Sequence, residues 1–217
     1  MMGILNTVRS SYGALRILSG LTKVINPFCH RFDRAKNCAA RAHAPLPPGP
    51  INGQGLGALA VLPYGAWTMG NNGCEVIAVY NALLALGKAR PLPEVAAALE
   101  HGGLLFNGFG GTNLSAVAAY LRGQGVDVTV LRRRERARFD AALAASACAI
   151  LAYWTGPTLR RPEGDWNMLH TVSVQRADGG VEVCNVDVDR PKPYTAPSVA
   201  EFLRRVGGEP VCLFALK

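Results

Sequence analysis

The chain contains, at residues 71–87, the segment Asn71-Asn-Gly-Cys-Glu-Val-Ile-Ala-Val-Tyr-Asn-Ala-Leu-Leu-Ala-Leu-Gly87. This segment predicts a helix, because a short side chain at Asn71 or Asn72 can accept a hydrogen bond from the free amides of the first turn. Gly87 can end the helix in the left-handed conformation. The residues between are apolar around nearly the whole circumference, which is typical of a buried helix. We therefore expect this helix at the centre of the core.

The first turn of the predicted helix carries a cysteine, Cys74. A thiol at a helix N-terminus faces unpaired amides and the positive end of the helix dipole, and both stabilise the thiolate. Cys74 is therefore a candidate nucleophile.

The composition indicates one well-packed domain. The chain has 217 residues, of which 49% are apolar and 18% charged, and its formal net charge is +8. Much of the positive charge lies in the first 41 residues and in the run from Arg132 to Arg138. These basic residues are not interleaved with exposed aromatics, so we predict no nucleic-acid partner and interpret the run at 132–138 as a solvated surface.

Three segments are predicted along the chain: a basic amphipathic N-terminal arm at 1–43, a Pro-rich linker at 44–50 and a folded domain at 51–217. Apolar residues recur at helical spacing within 3–26, which predicts docking on the domain, on a partner or on a membrane surface. The sequence has neither a secretory signal pattern nor an apolar run of transmembrane length.

The six cysteines indicate free thiols. Cys148, Cys184 and Cys212 lie in apolar, strand-like runs, where cysteine behaves as a small hydrophobic residue. No spacing typical of a metal site is present, so we predict neither a metal nor a cofactor. Reduced thiols favour a cytoplasmic protein, although secretion by a non-standard route is compatible with them.

Helices precede strands along the chain, which predicts an α+β fold with an antiparallel sheet. Helices are expected at 91–100, 113–122, 136–146 and 195–206, and strands at 126–131, 148–154 and 211–216. Two alternating segments, 169–176 and 181–187, flank Asp178-Gly179 and predict a β-hairpin.

The hairpin supplies a candidate base. With the turn centred between Asp178 and Gly179, His170 faces Asp187 across the ladder, and Asn185 is its diagonal neighbour. Either Asn185 or Asp187 could bond the imidazole of His170 and fix its tautomer, as an activated thiol requires.

The order and spacing of these residues resemble a known family over roughly residues 51–190. The chain is similar to papain-like cysteine peptidases of the bacteriocin-processing, double-glycine leader type, as a free-standing relative. The resemblance rests on Gln54, Pro63-Tyr64-Gly65, Gly73-Cys74, Gly111-Thr112-Asn113-Leu114, His170, and Asn185 with Asp187.

The resemblance implies a papain-like fold, in which the nucleophile helix packs on an antiparallel sheet. It also implies a peptide or protein substrate, Cys74 as nucleophile, His170 as general base and then acid, and Asn185 or Asp187 as the orienting residue. Gln54 takes the place of the family's oxyanion donor; since it lies in a Gly-Gln-Gly segment, Asn71 or Asn72 could serve instead.

The chain departs from the family pattern at Glu75, where the family has glycine. An acidic side chain favours the first turn of a helix, but it opposes thiolate formation if it faces the sulfur. Two alternatives to a peptidase therefore stay open: a papain-fold acyltransferase, deamidase or toxin-like effector, and a non-catalytic peptide-binding module.

Overall fold

The structure, a computed structural model, describes residues 32–46, 49–108, 110–155 and 168–217. Its helices are α1 Arg34–Ala42, α2 Gly57–Val61, α3 Met69–Asn72, α4 Cys74–Ala85, α5 Leu92–Gly102, α6 Leu114–Gly123, α7 Phe139–Ala144 and α8 Val199–Arg205. Its strands are β1 Pro63–Tyr64, β2 Trp67–Thr68, β3 Val128–Arg132, β4 Cys148–Trp154, β5 Leu169–Ala177, β6 Gly180–Cys184, β7 Tyr194–Ala196 and β8 Glu209–Leu216. Two short 3-10 segments lie at Phe106–Gly108 and Arg133–Arg138.

A six-stranded sheet in the order β3-β8-β4-β5-β6-β7 forms the centre of the molecule, and every neighbouring pair is antiparallel. One face packs against α4, α5 and α6, and the other against α7 and α8. The prediction of an α+β chain with an antiparallel sheet is confirmed.

The helix predicted at 71–87 is α4, which is buried between the sheet and the other helices. Val76, Ile77 and Leu83 have no exposed surface. Gly87 ends the helix with a φ of +67°, as predicted. The predicted asparagine cap is wrong, because residues 69–72 form the separate helix α3 and Gly73 stands at the cap position without a side-chain hydrogen bond.

The hairpin has the predicted register in its regular part. Ser173 pairs with Cys184 and Ala177 pairs with Gly180. The ladder ends at Cys184, because Asn185 adopts a φ of +63°, which turns the chain away from β5. The expected pairing of His170 with Asp187 across the ladder is therefore wrong.

Two predicted helices begin later than expected. The helix predicted at 195–206 begins at Val199, because residues 194–196 pair with β6 as the edge strand β7. The helix predicted at 136–146 is shortened to α7, since the residues before it form a 3-10 segment.

Helix α1 belongs to the segment predicted as an arm, and it packs on α5 and β1. Residues 1–31, and with them the amphipathic segment 3–26, lie outside the described residues, so the division at 43 and 50 stays a prediction. No helix in the described part of the chain is long and apolar enough to cross a membrane. The five cysteines in the described ranges are free thiols.

Candidate active site

Cys74 is the first residue of α4, and its side chain is only 7% exposed. The sulfur lies against the start of β5. The backbone amides of Thr171 and Glu75 lie near it, and both lower the pKa of the thiol. The amide of Glu75 belongs to the first turn of α4 and gives the stabilisation that a helix N-terminus predicts, whereas the amide of Thr171 comes from β5.

Glu75 turns its carboxyl group inward, toward the thiol. Cys74 Sγ donates to Glu75 Oε2 at 3.3 Å, and Thr171 Oγ1 lies 3.5 Å from Oε1. The backbone of Thr112 also lies near the carboxyl group and lowers its pKa. The side chain is almost completely buried, and this burial raises the pKa of Glu75 to about 7.

The pKa of the Cys74 thiol is raised well above its ordinary value, first by burial and then by the charge and hydrogen bond of Glu75. This outcome differs from the low pKa that the helix N-terminus predicts. Two backbone amides stabilise the thiolate, but the loss of hydration and a neighbouring carboxylate oppose it more strongly. The protonated thiol is therefore the resting form.

His170 lies at the start of β5, and its ring is bonded to the main chain of Asn185. The Nε2–carbonyl oxygen distance is 2.6 Å. A carbonyl oxygen can only accept, so Nε2 carries the hydrogen and Nδ1 of the neutral ring keeps its lone pair. The ring also contacts Tyr153 edge-on, with 5.8 Å between the centroids.

The pKa of His170 is lowered from its ordinary value because the ring is buried. The bond to Asn185 and the charge of Asp187 oppose this shift without cancelling it. The ring is therefore neutral near pH 7 and can accept a proton at Nδ1. Within the described residues, no hydrogen bond joins the ring of His170 to the sulfur of Cys74.

Asn185 is held by the segment that contains Gln54. Its side-chain amide donates to Gln54 Oε1 at 2.9 Å, and its Oδ1 accepts from the backbone N–H of Gln54 at 3.0 Å. Its own backbone N–H donates to Asn52 Oδ1 at 2.9 Å. The side chain of Asn185 thus fixes the loop, and the main-chain carbonyl is left to orient His170.

The other predicted site residues make contacts around this centre. Gln54 Nε2 donates to the carbonyl of Gly70 at 3.0 Å, and Asn72 Nδ2 donates to the carbonyl of Gly108 at 2.6 Å. Their role as oxyanion donors stays a prediction. Asp187 is exposed and forms an ion pair with Arg190 at 3.4 Å, so it influences His170 through charge.

Sequence reasoning missed two contributors, Thr171 and Asn52. Thr171 had a usable signal, because it is adjacent to His170 and the alternation of the strand points it toward the helix face. Asn52 had none, since only the folded loop brings it to Asn185.

Replacing Gln54 by leucine is expected to lower the free energy of unfolding by about 1–3 kcal/mol, because the buried amide of Asn185 loses its acceptor. Urea unfolding measures this loss. Gln175→Leu is the matched control, since Gln175 bonds Glu182 in a less buried place. The titration of His170, followed by NMR, should change in Gln54→Leu alone; an unchanged titration and stability would show that Gln54 does not hold the loop.

No family model and no curated protein matches this sequence. A crystal structure of a double glycine motif protease from an AMS/PCAT transporter, in complex with the leader peptide, is similar to this chain at a TM-score of 0.41 and 15% identity. The match covers 66% of this chain and 83% of that chain. A similarity at this level supports no statement about the chemistry of the site, which therefore rests on the contacts within this chain.

Proposed function

We propose that this protein is a papain-like cysteine peptidase that cleaves a peptide bond through an acyl-enzyme on Cys74. His170 is its base and then its acid, and Asn185 orients His170. The observation that carries the proposal is the bond between His170 Nε2 and the carbonyl of Asn185. With Nε2 bonded in this way, Nδ1 of the ring can accept a proton. His170 also directly precedes Thr171, whose backbone amide lies near the Cys74 sulfur.

In the proposed reaction, the proton of the Cys74 thiol passes to Nδ1 of His170, and the sulfur attacks the peptide carbonyl carbon. The backbone N–H of Cys74, with Gln54 or Asn72, stabilises the oxyanion. The C–N bond then breaks, and Nδ1 returns the proton to the leaving amine. Water, deprotonated by His170, attacks the thioester and restores the thiol.

The thiol must change its hydrogen-bond partner before it can react, because in the resting state it is bonded to Glu75 and not to His170. Catalytic hydrogen bonds are commonly long without substrate and tighten in the complex. Proton transfer therefore requires the sulfur to exchange Glu75 for His170 as its partner; the free protein makes this exchange as well, and a bound peptide favours it.

One observation favours a second candidate function, a peptide-binding module without hydrolysis. Glu75 occupies the thiol and raises its pKa, which is the opposite of what a nucleophile needs. An acyltransferase or a deamidase would use the same thiol. The acyltransferase differs from a peptidase in the acceptor of the acyl group, and the deamidase in the amide bond that is broken.

The test follows the alkylation of Cys74 by iodoacetamide against pH, in the wild type and in His170→Ala. Peptide mass spectrometry reads Cys74 separately from the exposed Cys38. We expect alkylation near neutral pH to be about tenfold slower in His170→Ala, since transfer to the ring then no longer forms thiolate. His101→Ala, an exposed histidine at the end of α5, is the control.

Equal rates in the wild type and in His170→Ala would overturn the catalytic proposal and leave the binding module. A peptide library, read by mass spectrometry, then tests cleavage, which Cys74→Ala must abolish. Added hydroxylamine separates a peptidase, whose thioester is released by water, from a transferase, whose thioester needs an amine.

A further inference from the structure

The run of arginines from Arg132 to Arg136 lines a groove. It is therefore more than the solvated surface that the sequence predicts. The groove has a volume of about 700 Å³ and lies between α6 and the face formed by β3 and β8. Its rim carries Arg122, Arg132, Arg133, Arg134 and Arg136, and its floor is apolar, with Leu114, Ala118, Val130, Val211 and Phe214.

Four of the five rim arginines have no acidic partner within the described part of the chain. Arg133 pairs with Glu209, whereas no carboxylate of the described ranges forms an ion pair with Arg122, Arg132, Arg134 or Arg136. Guanidinium groups bind carboxylates with two parallel hydrogen bonds, so this rim is suited to an anionic ligand.

The groove also borders an edge of the sheet. Strand β3 pairs with β8 and with no other described strand. Asp127 and Lys217 exchange both backbone hydrogen bonds, and the alternation of an antiparallel ladder then directs the backbone groups of Val130 away from β8. Arg122 Nη2 reaches the carbonyl of Val128 on this edge at 3.1 Å, which places the edge beside the groove.

We propose that this groove binds an extended, acidic segment of a partner protein, which adds a strand to the edge of β3. Its main chain would bond the free backbone groups of Val130, its carboxylates the arginines, and its apolar side chains Ala118 and the side chain of Val130. Phosphates of a membrane or a nucleic acid satisfy the arginines but offer no main chain for the strand edge.

Charge argues against the chain's own N-terminal residues as the occupant. Residues 1–31 contain Arg9, Arg16, Lys23 and Arg31 and no aspartate or glutamate. Such a segment would be repelled by the rim, so it is not the occupant that the charge of the groove favours.

The test measures fluorescence anisotropy of a labelled peptide of alternating glutamate and valine, slightly longer than β3, with the full-length protein. We expect saturable binding that weakens with salt and weakens about tenfold or more in Arg134→Glu/Arg136→Glu. The control variant is Arg90→Glu/Arg176→Glu, which makes the same charge change at exposed positions outside the groove. N-methylation of alternate peptide amides should abolish binding, and Cys74→Ser should leave it unchanged.

Equal binding of a lysine–valine peptide, equal binding of the N-methylated peptide, or unaltered binding in Arg134→Glu/Arg136→Glu would each overturn the proposal. Anionic phosphatidylserine vesicles and a single-stranded oligonucleotide are measured alongside. If either binds in an arginine-dependent way while the peptide does not, the groove is a phosphate site and the peptide proposal is wrong.

Discussion

Replacing Glu75 by glutamine is expected to raise the alkylation rate of Cys74 about tenfold near pH 8, since removing the neighbouring charge lowers the pKa of the thiol. Glutamine keeps the shape of the side chain and its contacts with Thr171 and the backbone of Thr112. What changes is the charge that opposes the thiolate.

The effect should depend on pH in a definite direction. The pKa of Glu75 is raised to about 7, so its carboxyl is neutral well below pH 7 in the wild type. The rates of the wild type and Glu75→Gln should therefore converge in acid and separate as the pH rises through about 7.

The same carboxyl links stability to pH. Because its pKa is higher in the folded than in the unfolded chain, ionising it opposes folding; this penalty is absent below the unfolded pKa and develops as the pH rises through about 7. We expect Glu75→Gln to unfold at a higher temperature than the wild type above pH 7 and to lose that advantage in acid.

Mass spectrometry of the Cys74 peptide gives the rate, and Glu94→Gln is the control, since Glu94 is exposed on α5. Equal rates for Glu75→Gln and the wild type across the pH range would show that burial alone raises the thiol pKa. A parallel change in Glu94→Gln would instead indicate a general effect of net charge.

Local features of this fold follow from sequence because they depend on neighbouring residues. The turn at Asp178-Gly179 sets the pairing of β5 with β6, and the apolar residues of 74–85 make a buried helix. The alternation of polar and apolar residues does not show where a single residue leaves the strand conformation. The positive φ of Asn185 ends the ladder in this way.

The site shows the same limit. Cys74 and His170 were identified from a helix start and a strand, and the structure brings the two elements together. Whether Asn185 acts through its side chain or its carbonyl depends on Gln54, which is distant in sequence. The orientation of Glu75 likewise depends on Thr112 and Thr171, so its effect on the thiol is a property of the folded loops.

The second large effect is expected at a buried ion pair that joins α1 to the rest of the fold. Arg41 Nη2 lies 2.7 Å from Glu100 Oε2, and both side chains are 1% exposed. Glu100 Oε1 also accepts from Asn37 Nδ2 and from the backbone N–H of Gly65, each at 2.7 Å. Arg41 Nη1 donates to the carbonyl of Pro63 at 2.8 Å.

Arg41→Met should lower the free energy of unfolding by about 3–5 kcal/mol, because it leaves the carboxylate of Glu100 buried without its cation. Urea unfolding measures the loss, with the same dependence of the free energy of unfolding on urea concentration in both proteins. Arg204→Met is the matched control, since Arg204 pairs with Glu201 on the surface and an exposed pair contributes about 1 kcal/mol or less.

The double variant Arg41→Met/Glu100→Met tests whether the ion pair stabilises the fold more than two apolar side chains in the same place. Nε of Arg41 is buried without a partner, so the pair is not fully satisfied, and two apolar side chains of similar volume should recover most of the stability lost in Arg41→Met. If the double variant is as unstable as Arg41→Met, the stability that is not recovered reflects Asn37 and Gly65, which lose Glu100 as their acceptor in that variant alone. If Arg41→Met unfolds like the wild type, the ion pair does not contribute to the stability of the domain, and the prediction is wrong.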